Sequence, residues 1–405
     1  MIRPAKARIA EWEASLPETS RRHLVLAAER IAAAKQKGGG VTVVTGSGPN
    51  IHEGVTTLIA ELIRQGVVDA VLTSSAVVAH EMAGTLDRVS RIRPSEHPEL
   101  RIPADVLPRG GVFEITELSE ALREKIVTEV DTGWELYDQV SALRGSIIIK
   151  AAGNMAWPMG LRTERLAREA QALALERGWP LERVAGLGAD PRTMIGAGAL
   201  HQRPVLVSIP QLVGGGAVGL AIGDSLSITA RSRLVAEALA QADVIIESAI
   251  ALTQEVHDGP FELHTGHGIW SAWQDDYSYS LEEKTLVRVD LDGNLERAWR
   301  QEREGSQIQQ AVDRGLPKTK LTGIPFRMEM SGFARLAGSL PVTADIGLAW
   351  PVLASHLEEM LGLRLDFIPA PQETPEGGEM REWITGTIQP VDRARMYEAV
   401  RRGDS

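Results

Sequence analysis

The stretch from Val41 to Glu81, VTVVTGSGPNIHEGVTTLIAELIRQGVVDAVLTSSAVVAHE, decides the fold. Val41–Val44 is a short β-branched run of the kind that fills a buried strand. Gly46, Ser47, Gly48, Pro49 and Asn50 break it. From Glu53 the apolar residues Val55, Leu58, Ile59, Leu62 and Ile63 recur at helical spacing, and Gly66 is placed to close that helix. Val67–Leu72 restores a strand. The result is a βαβ unit, whose two parallel strands end at the same edge of a sheet. Ligands of open α/β sheets bind at that edge. The two turns there, Thr45–Asn50 and Thr73–Glu81, carry small and polar side chains.

Outward from this unit the alternation continues. Residues 119–143 read as helical, Ser146–Lys150 as a strand, and about 163–177 as a helix with Thr163 as N-cap. Val205–Ile209 and Asp243–Ser248 read as further buried strands. The segment 85–118, rich in Pro, Arg and Gly, reads as a long surface excursion. The pattern predicts an α/β fold with a doubly wound, mostly parallel sheet and a C-terminal α+β portion. The expected organisation is a helical segment at 1–40, a Rossmann-like dinucleotide-binding core at 41–250, and active-site loops, hairpin and cover at 251–405. The hairpin is read from TLVRVDLDGNLERAW, with its turn at Asp292-Gly293.

The totals exclude several classes of function. The 405 residues include 54 acidic and 43 basic side chains, a net charge of −11 with no long basic run, so nucleic acid and anionic membrane are not expected partners. There is no cysteine, which removes disulfides, thiolate nucleophiles and cysteine-ligated metals and is compatible with a cytoplasmic location. The N-terminal MIRPAKARIAEWEASLPETSRRHL is charged throughout, without the apolar core of a signal peptide, and no apolar run is long enough to span a membrane.

Three segments carry a family resemblance. TVVTGSGPN with the following helix and GVVDAVLTSSAVVAHE, then RPVLVSIPQLVGGGAVG at 203–219, then ADVIIESAIALTQEVHDG at 242–259, resemble in order the deoxyhypusine synthase-like superfamily. That group includes deoxyhypusine synthase, homospermidine synthases and the NAD domain of archaeal ornithine cyclodeaminase-type proteins. The resemblance implies NAD held at the sheet edge and a homotetramer built from dimers. The chain departs from deoxyhypusine synthase itself, which has a nucleophilic lysine in a Trp-Gly-Lys motif after the Asp-Gly element. Here that stretch is HTGHGIW, and the next lysine is Lys284.

The candidate cofactor residues are Thr45, Gly46, Ser47, Gly48 and Asn50 in the first turn, Ser74, Ser75 and Glu81 in the second, and Gly215 in the later glycine-rich loop. Backbone N–H groups of such turns cradle phosphates, although a glycine turn also serves a tight bend alone. The classical acidic residue after the second strand of a Rossmann unit is missing, since Leu72 runs into Thr73-Ser74-Ser75. Glu81, read at the start of a helix, either accepts ribose or substrate hydrogen bonds or simply caps. Lys150, expected at a strand end on the same edge, is a candidate base, anion clamp or imine former, or a plain surface lysine.

Glu255, His257, Asp258, Glu262, His264 and His267 gather the most proton-active groups. His257, His264, Glu255 and Asp258, with Lys150, are the catalytic candidates. Asn154, His267, Arg327 and Glu329 are the substrate-binding candidates. The histidine spacing matches no strong zinc motif, so a divalent metal is not favoured. The reading favoured is an NAD-dependent enzyme that transiently oxidises a small polar substrate and then eliminates, isomerises or transfers. The alternatives are a metal-assisted or acid–base hydrolase, lyase or isomerase without nicotinamide, and a non-enzymatic ligand-binding protein. A homo-oligomer, dimer or tetramer, is expected, with Trp270, Trp273, Tyr277 and Tyr279 near a neighbouring subunit.

Overall fold

A computed structural model describes residues 2–46, 48–99, 111–143, 145–153, 156–212, 215–248, 279–281, 283–289, 310, 314 and 338–403. The chain forms two compact units, one of Met1–Thr73 with Thr229–Gly377, the other of Ser74–Ile228 with Gly378–Ser405. It enters the first unit through α1 (Lys6–Ser15), α2 (Glu18–Gln36), β1 (Gly40–Thr45), α3 (Pro49–His52), α4 (Val55–Arg64) and β2 (Ala70–Thr73). The second unit then takes α5 (Ser75–Met82), β3 (Leu86–Ile92), β4 (Phe113–Thr116), α6 (Glu120–Glu129), α7 (Trp134–Ser141), β5 (Ser146–Ala151) and α8 (Met159–Arg177). It continues through α9 (Leu181–Gly188), α10 (Met194–His201), β6 (Val205–Val207) and α11 (Gly216–Ser225). The chain returns to the first unit with α12 (Ile228–Ala240), β7 (Ala242–Ser248), β8 (Thr285–Val289), β9 (Ser339–Val342) and α13 (Ile346–Leu361). It ends on α14 (Pro375–Thr387) and α15 (Arg393–Arg402).

The strands of the first unit run in the order β2-β1-β7-β8-β9, and every ladder between them is parallel. This is the α/β sheet expected of the βαβ pattern. β1 is an inner strand with Val41, Val43 and Val44 buried, which is why its run is β-branched without alternation. α4 buries Val55, Leu58, Ile59, Leu62 and Ile63, the same residues that set its spacing in the sequence. α2 lies along β1, β7, β8 and β9 and packs on α13.

Two expectations fail here. β8 is flanked by β7 and β9, both parallel to it, so Thr285–Val289 is an inner strand and not one arm of a hairpin. Arg288 disguised it: the side chain is fully buried, ion-paired to its cross-strand partner Glu247 at 2.7 Å. The helix after β1 also starts earlier than Glu53, as the short α3, and breaks at Gly54 in the left-handed region before α4 begins.

The second unit has an antiparallel sheet in the order β4-β3-β5. Two more expectations fall with it. Residues 86–92 and 113–116, inside the stretch read as a surface excursion, are strands. Ser146–Ala151 is a strand as expected, but it pairs antiparallel with β3 and does not join the parallel sheet. Leu86, Val89 and Ile92 carry the apolar burial, while the arginines between them are held by carboxylates, Arg88 by Glu382 and Arg91 by Glu114. Against this sheet Ile92, Ile115, Tyr137 and Val140 form a small core with Phe113, Trp134 and Trp157 around it. α8 starts at Met159, and Thr163 lies inside it with its hydroxyl donating to the Met159 carbonyl, not at its N-cap.

Candidate functional site

The site is built first from β1. Its register places Thr45 beside Ser248 of β7, and the Gly46 N–H continues that ladder to the Ser248 carbonyl at 3.2 Å. The chain then leaves the sheet through Gly48, at φ +35 and ψ −88, a conformation that only glycine adopts without strain. Among the described residues, a Cβ added at Gly48 meets nothing within 4 Å. Thr45 is fully buried; its carbonyl accepts from the Thr73 hydroxyl at 3.2 Å, while its own Oγ1 has no partner among the described residues.

Asn50, a cofactor candidate, is fully buried, and its carboxamide bonds within the protein. Its Nδ2 donates to the carbonyls of Gly46 at 3.4 Å and Ser248 at 3.3 Å. Its Oδ1 accepts from the Ser248 hydroxyl at 2.5 Å, and that hydroxyl in turn accepts from the Trp350 indole N–H at 2.8 Å. The carboxamide thus fastens the turn to the end of β7, and Asn50 is a positioning residue. The sequence reading missed Ser248 and Trp350. The only available signal was that Ser248 ends the DVIIES run level with Thr45.

Glu53 follows α3 directly. Burial pushes its carboxyl up to about 7, with Asp345 and Glu373 acting the same way and the Gln372 N–H, at 2.9 Å, acting against. At the start of α13 the Asp345 carboxylate accepts from the Gly347 N–H at 2.7 Å.

In the second unit Ser74 caps α5, accepting from the Val77 N–H at 3.3 Å. Ser75 donates to the Gln211 carbonyl at 3.4 Å. A Cβ at Gly215 falls 2.7 Å from the Ser75 side chain, so Gly215 is the glycine that lets this loop approach α5. The first turn of α11 is already occupied by a carboxylate: the Ala217 N–H donates to Glu164 Oε1 at 3.3 Å. A phosphate at this turn would meet that acidic side chain.

His80 and Glu81 lie in the last turn of α5, not at a helix start. Glu81 is 1% exposed, and both carboxylate oxygens accept from the start of α10, from Met194 N at 2.8 Å and Ile195 N at 3.0 Å. Glu81 thus caps the start of α10. Burial raises its carboxyl to about 7 against those two hydrogen bonds. Lys150 is on β5 of the antiparallel sheet, 2.5 Å from Glu114 Oε2, and so does not end a strand of the parallel sheet. Ser47, Asn154, Glu255, His257, Asp258, His264, His267, Arg327 and Glu329 lie outside the described residues, as do Trp270, Trp273 and Tyr277. Among the described residues no group of acidic and histidine side chains is arranged to hold a metal ion. No helix among them is long and apolar enough to cross a membrane.

No protein-family model matches the sequence, and no curated protein matches it. Among solved structures it is similar to a conserved LOR/SDH protein from Methanococcus maripaludis S2, with 12% identity, 86% of this chain and 72% of that chain covered, and a TM-score of 0.43. It is also similar to AgrE in binary complex with L-arginine, with 14% identity, 90% of this chain and 35% of that one covered, and a TM-score of 0.40. ArgZ, an arginine dihydrolase from the ornithine–ammonia cycle in cyanobacteria, gives 12% identity, 83% and 31% coverage, and a TM-score of 0.39. The chain spans about a third of the length of AgrE and of ArgZ. Overlaps of this size carry nothing about activity.

Proposed function

We propose that this chain is an NAD-dependent enzyme acting on a small polar substrate, with the dinucleotide held at the turn after β1. The observation that supports it is the combination at that turn: among the described residues, nothing lies where a Gly48 Cβ would reach, and the buried Thr45 hydroxyl has no partner. A glycine turn at the C-terminal end of an inner parallel strand suits a pyrophosphate. A buried hydroxyl lacking a partner suits a ligand that supplies one. The residues present therefore fit the group.

When bound, NAD supplies hydride uptake and return. Thr45 would hydrogen-bond the ligand, the turn backbone would hold its phosphates, and the Asn50–Ser248–Trp350 chain would keep the turn in place. The proton-moving groups in this reading are His257 and His264, with Glu255 and Asp258 beside them in sequence. The reaction class, oxidation followed by elimination, isomerisation or transfer, and membership of the deoxyhypusine synthase-like superfamily belong to the same proposal.

The experiment is calorimetric titration of NAD and NADH into the full chain and into Gly48→Val. Among the described residues, a Cβ at Gly48 meets no packed neighbour, but the backbone strain costs about 1–3 kcal/mol. Binding to the wild type that is lost in Gly48→Val, with the variant still cooperatively folded, supports the reading. No binding to the wild type up to about millimolar dinucleotide refutes it.

A further inference from the structure

We infer that a second copy of this chain docks on the face formed by α11 and the residues 209–212 that precede it. The inference stands apart from the nucleotide reading, whose described residues lie in the first unit.

The sequence marks this stretch by what it lacks. In a chain that is 24% charged, the 27 residues 204–230 hold one charged side chain, Asp224. Burial accounts for the absence of charge at Val205, Leu206 and Val207 of β6 and at Val218, Ala221 and Ile222 of α11. It does not account for the surface. Nine large apolar side chains are exposed among the described residues, and four of them fall here: Ile209 at 48%, Leu212 at 59%, Leu220 at 50% and Ile228 at 63%. Gln211 and Ser227 are exposed with them, and Asp224 is the one exposed charge among the described residues of 209–228.

The backbone brings these residues together. The Leu212 carbonyl accepts from the N–H groups of Gly215 at 3.3 Å and Gly216 at 2.8 Å. A Cβ at Gly219 would collide with the Gln211 carbonyl oxygen, and one at Gly223 would touch Pro210 Cβ at 3.6 Å. Residues 212, 211 and 210 therefore lie in turn beside 216, 219 and 223, so the segment runs antiparallel along the helix. Leu220, next to Gly219, stands level with Gln211, between Leu212 and Ile209. Ile228 follows the end of α11 by three residues. Scattered singly, such side chains need no explanation; gathered with almost no charge among them, they mark an interaction surface.

The charge of the chain selects the occupant. With a net charge of −11, two copies repel one another over most of their surface. They meet most favourably where charge is missing. A symmetric dimer interface pairs one patch with itself and so has to complement itself. An uncharged aliphatic face does so, and depletion of charge is what distinguishes interface cores. With no lysine or arginine in 204–230, an acidic protein, nucleic acid or anionic membrane finds no complement here. A two-fold axis beside Leu220, near the middle of α11, sets the two helices antiparallel. Leu220 then meets its own counterpart, each Leu212 points toward the Ile228 end of the other copy, and Asp224 stays off the axis by one turn.

The chain has no cysteine, so Leu220→Cys introduces its only thiol. Leu175→Cys, at a position 58% exposed near the end of α8, is the control. Both full-length variants are treated at micromolar concentration with a short bismaleimide and run on denaturing gels. Leu220→Cys should give covalent dimer as its main product, and Leu175→Cys only the trace that random collision gives. Equal cross-linking in the two overturns the inference. So does a Leu220→Cys that stays single. If its thiol then reacts with a one-headed maleimide, the face is open to some other protein; if it does not, the chain itself covers the face. Sedimentation velocity on Leu212→Asp/Leu220→Asp gives a second reading, with far-UV circular dichroism to confirm that these two exposed substitutions leave the fold intact. Two carboxylates from each copy in one interface should weaken association at least about 100-fold and halve the mass. An unchanged mass overturns the inference, as does a wild type of 43.9 kDa at micromolar concentration. The cross-linking result stands whatever the fold of the double variant.

Discussion

Replacing Thr45 by valine separates a ligand-binding hydroxyl from a structural one. The two side chains have nearly the same volume, and valine suits an inner strand at least as well. In the free protein Thr45 Oγ1 is buried and has no partner among the described residues. Burying a hydroxyl without a hydrogen bond costs about 1–3 kcal/mol, so removing it should leave the unliganded protein as stable as before or more stable by about 1 kcal/mol. In the complex the same hydroxyl is proposed to meet a phosphate-bearing ligand. A hydrogen bond to a charged group contributes about 1.5–3 kcal/mol, which is roughly a ten- to hundred-fold change in affinity. Thr45→Val should therefore raise or preserve the melting temperature without ligand while weakening NADH binding by that factor. Calorimetric melting and NADH fluorescence titration on the same preparations read the two quantities. The reverse result, a destabilised protein with unchanged NADH affinity, would refute the reasoning, because it would mean that the hydroxyl serves the fold.

Asn50→Ala should destabilise the first unit by about 1–3 kcal/mol in urea denaturation, since it strands the Ser248 hydroxyl and the turn carbonyls, and should weaken NADH binding in parallel. A loss of stability with full NADH affinity would deny it the positioning role. Glu81 makes a pH prediction. Its carboxyl is raised from 4.5 to about 7, so the folded state binds that proton more tightly than the unfolded state; its contribution is complete below 4.5 and is lost as pH rises through about 7. Stability measured across that window should therefore fall toward neutral pH in the wild type and flatten in Glu81→Gln. Glu164→Gln should lower stability by about 0.5–1 kcal/mol through a weaker α11 cap while leaving NADH affinity unchanged. Tighter NADH binding in that variant would return the Gly215 loop to the cofactor site. Light scattering should give a mass above the 43.9 kDa of one chain, as a homo-oligomer requires.

What the sequence shows of this fold is what a short range of chain can encode. Val41–Val44 and the Val55-to-Ile63 spacing announce β1 and α4 because burial, strand propensity and helical period agree there. β3 and β8 are hidden because charged side chains interrupt their apolar runs. Arg91 and Arg288 each rely on a carboxylate contributed by another strand, Glu114 and Glu247, and no local pattern shows that such a partner will be opposite. The site is legible to the same degree. The glycines of the β1 turn declare themselves, since only glycine takes the Gly48 conformation. Trp350 lies three hundred residues from Asn50, and the Ser248 hydroxyl that joins them has no signature of its own.

Electrostatics narrows the nucleotide reading further than the motifs do. Helix N-termini attract anions, so each one already holding a carboxylate is closed to a phosphate. α10 holds both oxygens of Glu81, α11 holds Glu164, and α13 holds Asp345. The start of α5 is capped instead by a neutral hydroxyl, that of Ser74. The turn after β1 carries no acidic side chain among its described residues, and its amides follow a strand end with an unsatisfied hydroxyl. Of the glycine-rich segments that the sequence offers as phosphate cradles, the Gly215 loop is thus filled from within the protein. The proposed pyrophosphate site is therefore assigned to the segment Thr45–Asn50 and not to the Gly215 loop.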